Sequence, residues 1–143
     1  MRVVGIDLGS KRIGVATSDA TGTIASPYTV LQRQGRDRAA DHRAIAALVA
    51  ETEAELVVVG MPLSLSGARG PAAEAAAVEA AELAAALPVP VETWDERLTT
   101  VTADRSMMEL RMKADARRKV VDKVAAAVML QAWLDARRSR GDA

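Results

Sequence analysis

The chain opens with three short runs of apolar and β-branched residues separated by turn formers. Residues 2–8 (Arg-Val-Val-Gly-Ile-Asp-Leu) stop at Gly9-Ser10, residues 12–18 (Arg-Ile-Gly-Val-Ala-Thr-Ser) follow, and residues 23–30 come after Thr21-Gly22. Such runs read as strands, and the short gaps favour antiparallel hairpins. Pro27 sets the third strand near a sheet edge or at a bulge. The period then changes. Between Asp37 and Glu53, Ile45, Leu48 and Val49 recur at helical spacing among charges, and residues 55–61 form a Val-rich run closed by Gly60 and Pro62. Residues 71–86 are Ala- and Glu-rich with Pro71 in the first turn, which suits a helix. A strand over 89–94 crosses Pro90, and from Thr99 two helices are predicted with a break between Arg111 and Arg117. The second carries Val120, Val124, Val128, Gln131 and Leu134 on a mainly apolar stripe. A meander followed by alternating helices and strands predicts an α/β fold, a mixed sheet with helices on its faces. The expected organisation is one domain over residues 1–137 and a frayed tail over 138–143.

Composition narrows the chemistry. A chain of 143 residues, half of them apolar, can bury one sizeable core. With no Cys and one His, a disulfide scaffold, a thiolate zinc site, a cysteine nucleophile and an imidazole cluster are excluded, so any metal must be held mainly by oxygen. No stretch approaches the roughly 20 apolar residues of a membrane span, and the apolar lead before Asp7 is too short for a signal peptide. A cytoplasmic location without a membrane partner is expected. The zero net charge conceals a segregation: residues 1–48 hold seven basic and four acidic side chains, residues 49–96 one and nine, and residues 97–143 eleven and six. This describes either ordinary solvated faces or a basic surface built from both ends of the chain beside an acidic middle.

Three acids stand apart from the rest. Asp7 sits between Ile6 and Leu8 with Gly5 and Gly9 flanking, and a carboxylate in a central strand needs a partner or a metal. Glu96 closes the last strand, at the end where α/β sheets gather functional groups. Asp122 heads a stripe continued by Ala126, Met129 and Trp133. Each has a plainer reading: Asp7 caps the turn into Ser10, Glu96 pairs with Arg97 in a loop, and Asp122 meets the dipole of a helix N-terminus. Together they describe a carboxylate cluster for Mg²⁺ or Mn²⁺, of the kind that uses two ions to hydrolyse phosphodiesters. The basic termini would then neutralise the phosphates flanking the cut.

The stretches Gly5-Ile6-Asp7-Leu8-Gly9-Ser10-Lys11-Arg12-Ile13-Gly14-Val15-Ala16-Thr17-Ser18-Asp19, Val58-Val59-Gly60-Met61-Pro62-Leu63, Asp95-Glu96-Arg97-Leu98-Thr99-Thr100 and Val121-Asp122-Lys123-Val124-Ala125-Ala126 resemble the YqgF family, also called RuvX. These are bacterial RNase H-like nucleases named both as pre-16S rRNA nucleases and as Holliday junction resolvases. The resemblance covers essentially the whole chain, with four motifs in order. It implies a ribonuclease H-like fold: a five-stranded mixed sheet whose first three strands are antiparallel, flanked by helices. It also implies that Asp7, Glu96 and Asp122 are catalytic, metal-binding acids, and that Lys11, Arg12 and Arg97, with Lys119 and Lys123 near the last acid, contact nucleic acid. Residues Ser64-Leu65-Ser66-Gly67 depart from the Asn- and Asp-containing form common in the family.

Three functions remain in contention at this point: a metal-dependent endonuclease processing precursor 16S rRNA, a resolvase of four-way DNA, and a non-catalytic nucleic-acid, transcription or ribosome adaptor. The expected partner is structured RNA or branched DNA, bound by a monomer or a homodimer. An actin-like ATPase would need a second domain around its cleft, and a P-loop enzyme a Gly-Lys-Ser or Gly-Lys-Thr that the chain lacks. With only Trp94, Trp133 and Tyr28 available for stacking, recognition of backbone and shape is expected over reading of bases.

Overall fold

A computed structural model describes residues 1–62, 70–96 and 114–140, with side chains in the last segment from Val121 onward. Five strands form one sheet: β1 (Val3–Leu8), β2 (Arg12–Ser18), β3 (Ala25–Gln32), β4 (Leu56–Met61) and β5 (Val91–Asp95). The sheet order is β3-β2-β1-β4-β5. The first three strands pair antiparallel, while β4 and β5 add in parallel to β1. Helices α1 (Arg38–Thr52) and α2 (Pro71–Ala86) connect the parallel strands, and α3 (Ala114–Ser139) closes the chain.

Alternation along the strands builds two cores. Val4, Ile6, Ile13, Val15, Val57 and Val59 pack with Ile45, Leu48, Val49 and Leu83 from α1 and α2. Val3, Ala16, Leu56 and Val58 face the other way, onto Ala126, Met129, Leu130 and Trp133 of α3. Because β4 is covered on both faces, it is buried throughout, as its unbroken Val-rich run requires. The predicted core residues Ile45, Leu48 and Val49 are all in place, as are Ala126, Met129 and Trp133.

Several expectations shift for local reasons. β3 begins at Ala25, two residues late, because the Asp19 carboxylate accepts from the N–H groups of Thr23 and Ile24 and commits both to the turn. Pro27 fulfils both of its predicted roles, since β3 is an edge strand and its register with β2 shifts between Val15 and Ala16. β5 starts at Val91 because Pro90 lends only its carbonyl to the ladder, accepting from Val57 at 3.0 Å. α1 is capped by Asp37, which accepts from Ala40, and ends on Glu53 in the left-handed region. The last helix is unbroken from Ala114 to Ser139, so it has no interruption at 114–117, and residues 138 and 139 are helical and not tail. Its buried side runs through Val121, Ala125, Ala126, Met129, Leu130 and Trp133, leaving Val124, Val128 and Gln131 half-buried at the margin of the predicted stripe. The remaining predicted helix after Thr99, the break as far as 113, and residues 141–143 lie outside the described residues. Among the described residues no helix is long and apolar enough to cross a membrane.

Candidate nuclease site

Asp7, the fifth residue of β1, continues the alternation of Val3 and Gly5, so it lies on the α3 face near the strand's carboxyl end and is half-buried. It pairs with Gly14 of β2. On its other side the β1–β4 register runs to Ile6 and Val59, the residues that precede Asp7 and Gly60. Asp7 thus pairs with one glycine, and a second follows the last registered partner on the neighbouring strand.

Both glycines make room for the other two acids. A Cβ on Gly14 would stand 2.1 Å from the backbone oxygen of Asp122, so α3 reaches the sheet there by backbone contact. A Cβ on Gly60 would stand 2.6 Å from Glu96 Oε1, so the Glu96 carboxylate folds down onto the sheet where a side chain would otherwise rise. A third glycine, Gly5, continues the approach, since its Cβ would lie 2.9 Å from Leu130 Cβ. The row Gly60, Asp7, Gly14 therefore carries Glu96 above one end and Asp122 above the other. The first strand, the end of the last strand and the C-terminal helix meet at one edge.

The electrostatics are uneven along this row. Arg12 Nε donates to Asp122 Oδ2 at 2.7 Å, with both side chains about four-fifths buried. Asp122 is the ninth residue of α3, well past the turn where the helix dipole acts, so Arg12 and not a helix terminus compensates its charge. Arg12 is accordingly found on a carboxylate, whereas Lys11 is exposed in the β1–β2 turn and Lys123 is half-buried beside Asp122. Arg97 and the loop 64–67 lie outside the described residues, as does the side chain of Lys119. Among the described residues no three His, Asp or Glu side chains already stand close enough to hold a metal ion. The backbone brings the three acids to one edge, with the Asp122 carboxylate held by Arg12. An all-carboxylate donor set, with Gly60 cradling one donor, fits a hard divalent cation. The single His is elsewhere: His42 is buried under the opposite face, its Nε2 2.8 Å from Glu79.

Two further residues carry no motif signal. Gln131 clips the start of β3 to α3, accepting from Ala25 N–H at 2.8 Å and donating to Thr23 O at 3.0 Å. Arg33, just after β3, donates from Nε to Gly9 O at 2.7 Å and reaches Glu79 with both terminal nitrogens. Nothing in one sequence distinguishes Arg33 from the other arginines of the chain. The two tryptophans follow expectation: Trp133 is core, 5% exposed, and Trp94 is half-buried two residues before Glu96.

Residues 1–136 match the family model described as RuvX, Holliday junction resolvase. A Myxococcus xanthus protein named "Putative pre-16S rRNA nuclease" is 47% identical over 138 residues, covering 96% of this chain and 90% of its own length. A Mycobacterium ulcerans protein of the same name is 49% identical over 140 residues, covering 96% and 81%. Among solved structures, Thermus thermophilus RuvC in complex with a Holliday junction substrate superposes with a TM-score of 0.60 at 19% identity, covering 96% of each chain. The fowlpox virus Holliday junction resolvase gives 0.53 at 12% identity, covering 95% and 99%. At such identities the structures show the fold, which is ribonuclease H-like, with the antiparallel β1–β3 meander extended by two parallel strands. By a match over nearly its whole length and by relatives at almost half identity, the chain belongs to the RuvX family.

Proposed function

We propose that the protein is a metal-dependent nuclease that hydrolyses phosphodiester bonds in structured nucleic acid, acting in the cytoplasm on precursor 16S rRNA. The observation that supports this best is the glycine row. It brings Glu96 and Asp122 to either side of Asp7, an arrangement that packing alone does not require. Asp7, Glu96 and Asp122 would hold Mg²⁺ or Mn²⁺. Such ions supply an activated water and charge stabilisation at the leaving oxygen. Lys11 and Lys123, and with them Arg97 and Lys119, meet the phosphates on either side of the cut. Arg12 pairs with Asp122, and were Asp122 engaged by a cation, its guanidinium would be available to phosphate.

Precursor rRNA is preferred as substrate because relatives at 47–49% identity carry that name. A second reading, cleavage of four-way DNA, has the family model's own description in its favour. The deciding experiment incubates the purified protein and Mn²⁺ with a labelled precursor 16S end and, in parallel, a labelled four-way junction, with solution mass measured alongside. Trimming of the RNA supports the first reading. Paired cuts in the junction by a dimer support the second, because a two-fold substrate needs one site per strand. Asp7→Asn should abolish either cleavage with the fold retained by circular dichroism. Cleavage surviving that change would sink the metal mechanism, and binding without cleavage by the unaltered protein would make the chain an adaptor.

A further inference from the structure

We propose that Arg33 is a positioning residue for the site: from beneath the sheet it holds the turn Gly9–Arg12 against α1 and α2, and so sets the placement of Lys11. This rests on the function proposed above. The turn carries the expected phosphate contacts and directly follows Asp7-Leu8. Its inner closure is a single backbone bond, Gly9 N–H to Arg12 O at 2.9 Å, in a bend so tight that a Cβ on Gly9 would stand 2.5 Å from Arg12 O.

Arg33 grips both ends of that turn. Its side-chain Nε donates to Gly9 O at 2.7 Å, and its backbone N–H donates to Lys11 O at 3.0 Å. Its far end is anchored in turn. The two terminal nitrogens bond Glu79 of α2 at 2.8 Å each, and one of them also reaches Asp41 of α1 at 3.2 Å. Asp41 accepts from Gln34 N–H, and His42 Nε2 lies against Glu79. Burial pushes the Glu79 carboxyl up, but the Arg33 guanidinium and the His42 ring outweigh it and hold its pKa below the usual range, so the anchor stays ionised.

Packing does not do this job. A cavity of about 180 Å³ separates the turn from α2, lined by Leu8, Gly9, Ser10, Ala72 and Ala76 beside Arg33 and Glu79. Alanines on that helix face are too short to reach the turn, and the guanidinium fork spans the gap. With four of its five N–H directions committed and the side chain only 11% exposed, Arg33 is poorly placed to bind phosphate itself. Any effect of Arg33 on nucleic acid must therefore pass through the turn.

The test is Arg33→Lys, since an ammonium cannot serve Gly9 O, Asp41 and Glu79 together. Affinity for the labelled precursor rRNA end and the four-way junction is measured across a salt series, for Arg33→Lys, Lys11→Ala and the double variant. The expected result is that Arg33→Lys loses about as much affinity as Lys11→Ala, with the same fall in salt slope of roughly one phosphate contact, and that the double variant is no worse than Lys11→Ala alone. Unchanged affinity, or losses that multiply in the double variant, overturns the proposal. If Arg33→Lys does not fold, Glu79→Gln replaces it, keeping the Gly9 bond but weakening the anchor. A smaller loss that again does not add to Lys11→Ala supports the proposal, and none overturns it. Should the unaltered protein bind neither probe, the function proposed above fails separately. Hydrogen exchange on the free protein then decides the brace: faster exchange at the Gly9 and Arg33 amides in the variant, with Val4 and Ile6 unmoved, supports it, and unchanged exchange overturns it.

Discussion

Gly60→Ala separates the chemistry of the site from the stability of the fold. The new methyl would sit 2.6 Å from Glu96 Oε1, 3.2 Å from its Cδ and 3.3 Å from its Cγ. Ordinary contact begins near 3.4 Å, so the carboxylate must retreat by about 0.8 Å. Glu96 is the far end of a flexible side chain just after β5, and it can move without displacing backbone. The stability cost is therefore small, and the backbone entropy gained by replacing Gly in a strand offsets about 0.5–1 kcal/mol of it. Misplacing a catalytic group by about 1 Å costs on the order of 10²-fold in rate. The expected outcome is a 10- to 100-fold loss of kcat/KM in the Mn²⁺ cleavage assay (about one to two decades) at a nearly unchanged melting temperature. Gly14→Ala is the contrasting case, because its methyl would meet Asp122 backbone oxygen at 2.1 Å and carbon at 2.7 Å. Helix α3 must lift by about 1 Å, an overpacking that costs roughly 1–3 kcal/mol and lowers the melting temperature by roughly 5–10 °C. Full activity in Gly60→Ala would refute the role given to Glu96, and an unshifted melting curve in Gly14→Ala would refute the backbone contact between α3 and β2.

Three more outcomes are expected. Arg12→Gln removes the cation that holds Asp122, so Mn²⁺ titrated calorimetrically into the free protein should bind several-fold tighter while affinity for nucleic acid falls; weaker Mn²⁺ binding would contradict the competition between Arg12 and the metal. Gln131→Leu leaves Ala25 N–H and Thr23 O without their side-chain partner, costing about 1–3 kcal/mol, and hydrogen exchange at Ala25 should quicken ahead of the rest of the sheet. The Asp19 carboxyl is lowered from 3.8 to about 2 by the Thr21 hydroxyl and by the N–H groups of Ile24 and Thr23. A depressed carboxyl stabilises the fold above its unfolded pKa and loses that contribution as pH falls through its folded one. The difference in urea midpoint between the unaltered protein and Asp19→Asn should therefore be constant well above pH 3.8 and shrink between pH 3.8 and about 2; a difference independent of pH would exclude the linkage.

Much of the scaffold was legible because its signals are local. Turn formers at Gly9-Ser10 and Thr21-Gly22, the β-branched run before Gly60, and Pro71 after Gly70 each act over a few residues, and the five strands, α1 and α2 appear where such signals placed them, within two residues at the starts, whereas α3 runs through part of the predicted break. The acids were legible for a different reason: Asp7 and Asp122 interrupt apolar patterns, and Glu96 ends one. What the chain does not display locally is partnership. Arg12 reads as a phosphate contact from its motif, yet its neighbour is Asp122, 110 positions away. Arg33 and Arg38 belong to a basic segment that reads as nucleic-acid surface, yet they are taken up by Glu79 and Glu82 of the acidic middle, where α1 meets α2. Part of the charge segregation is thus taken up in ion pairs, one buried at Arg33–Glu79 and one exposed at Arg38–Glu82.

The same distinction explains why glycines, and not the acids alone, define the site. A fold under packing constraints alone would fill the sheet face beneath α3 with side chains, as Val3 and Leu56 do further along it. At Gly14 and Gly60 the fold instead gives up packing, brings the backbone of α3 within contact of β2, and lays Glu96 on β4. Each of these gives up side-chain packing on the sheet face, and what is obtained in exchange is the approach of Glu96 and Asp122 to the strands beside Asp7. Under the proposed function this arrangement places the three acids where a divalent cation could join them, with Arg12 meanwhile paired to Asp122. The expected signature is that Mn²⁺ raises the melting temperature of the unaltered protein, and that this increment, unlike the melting temperature itself, is lost in Asp7→Asn.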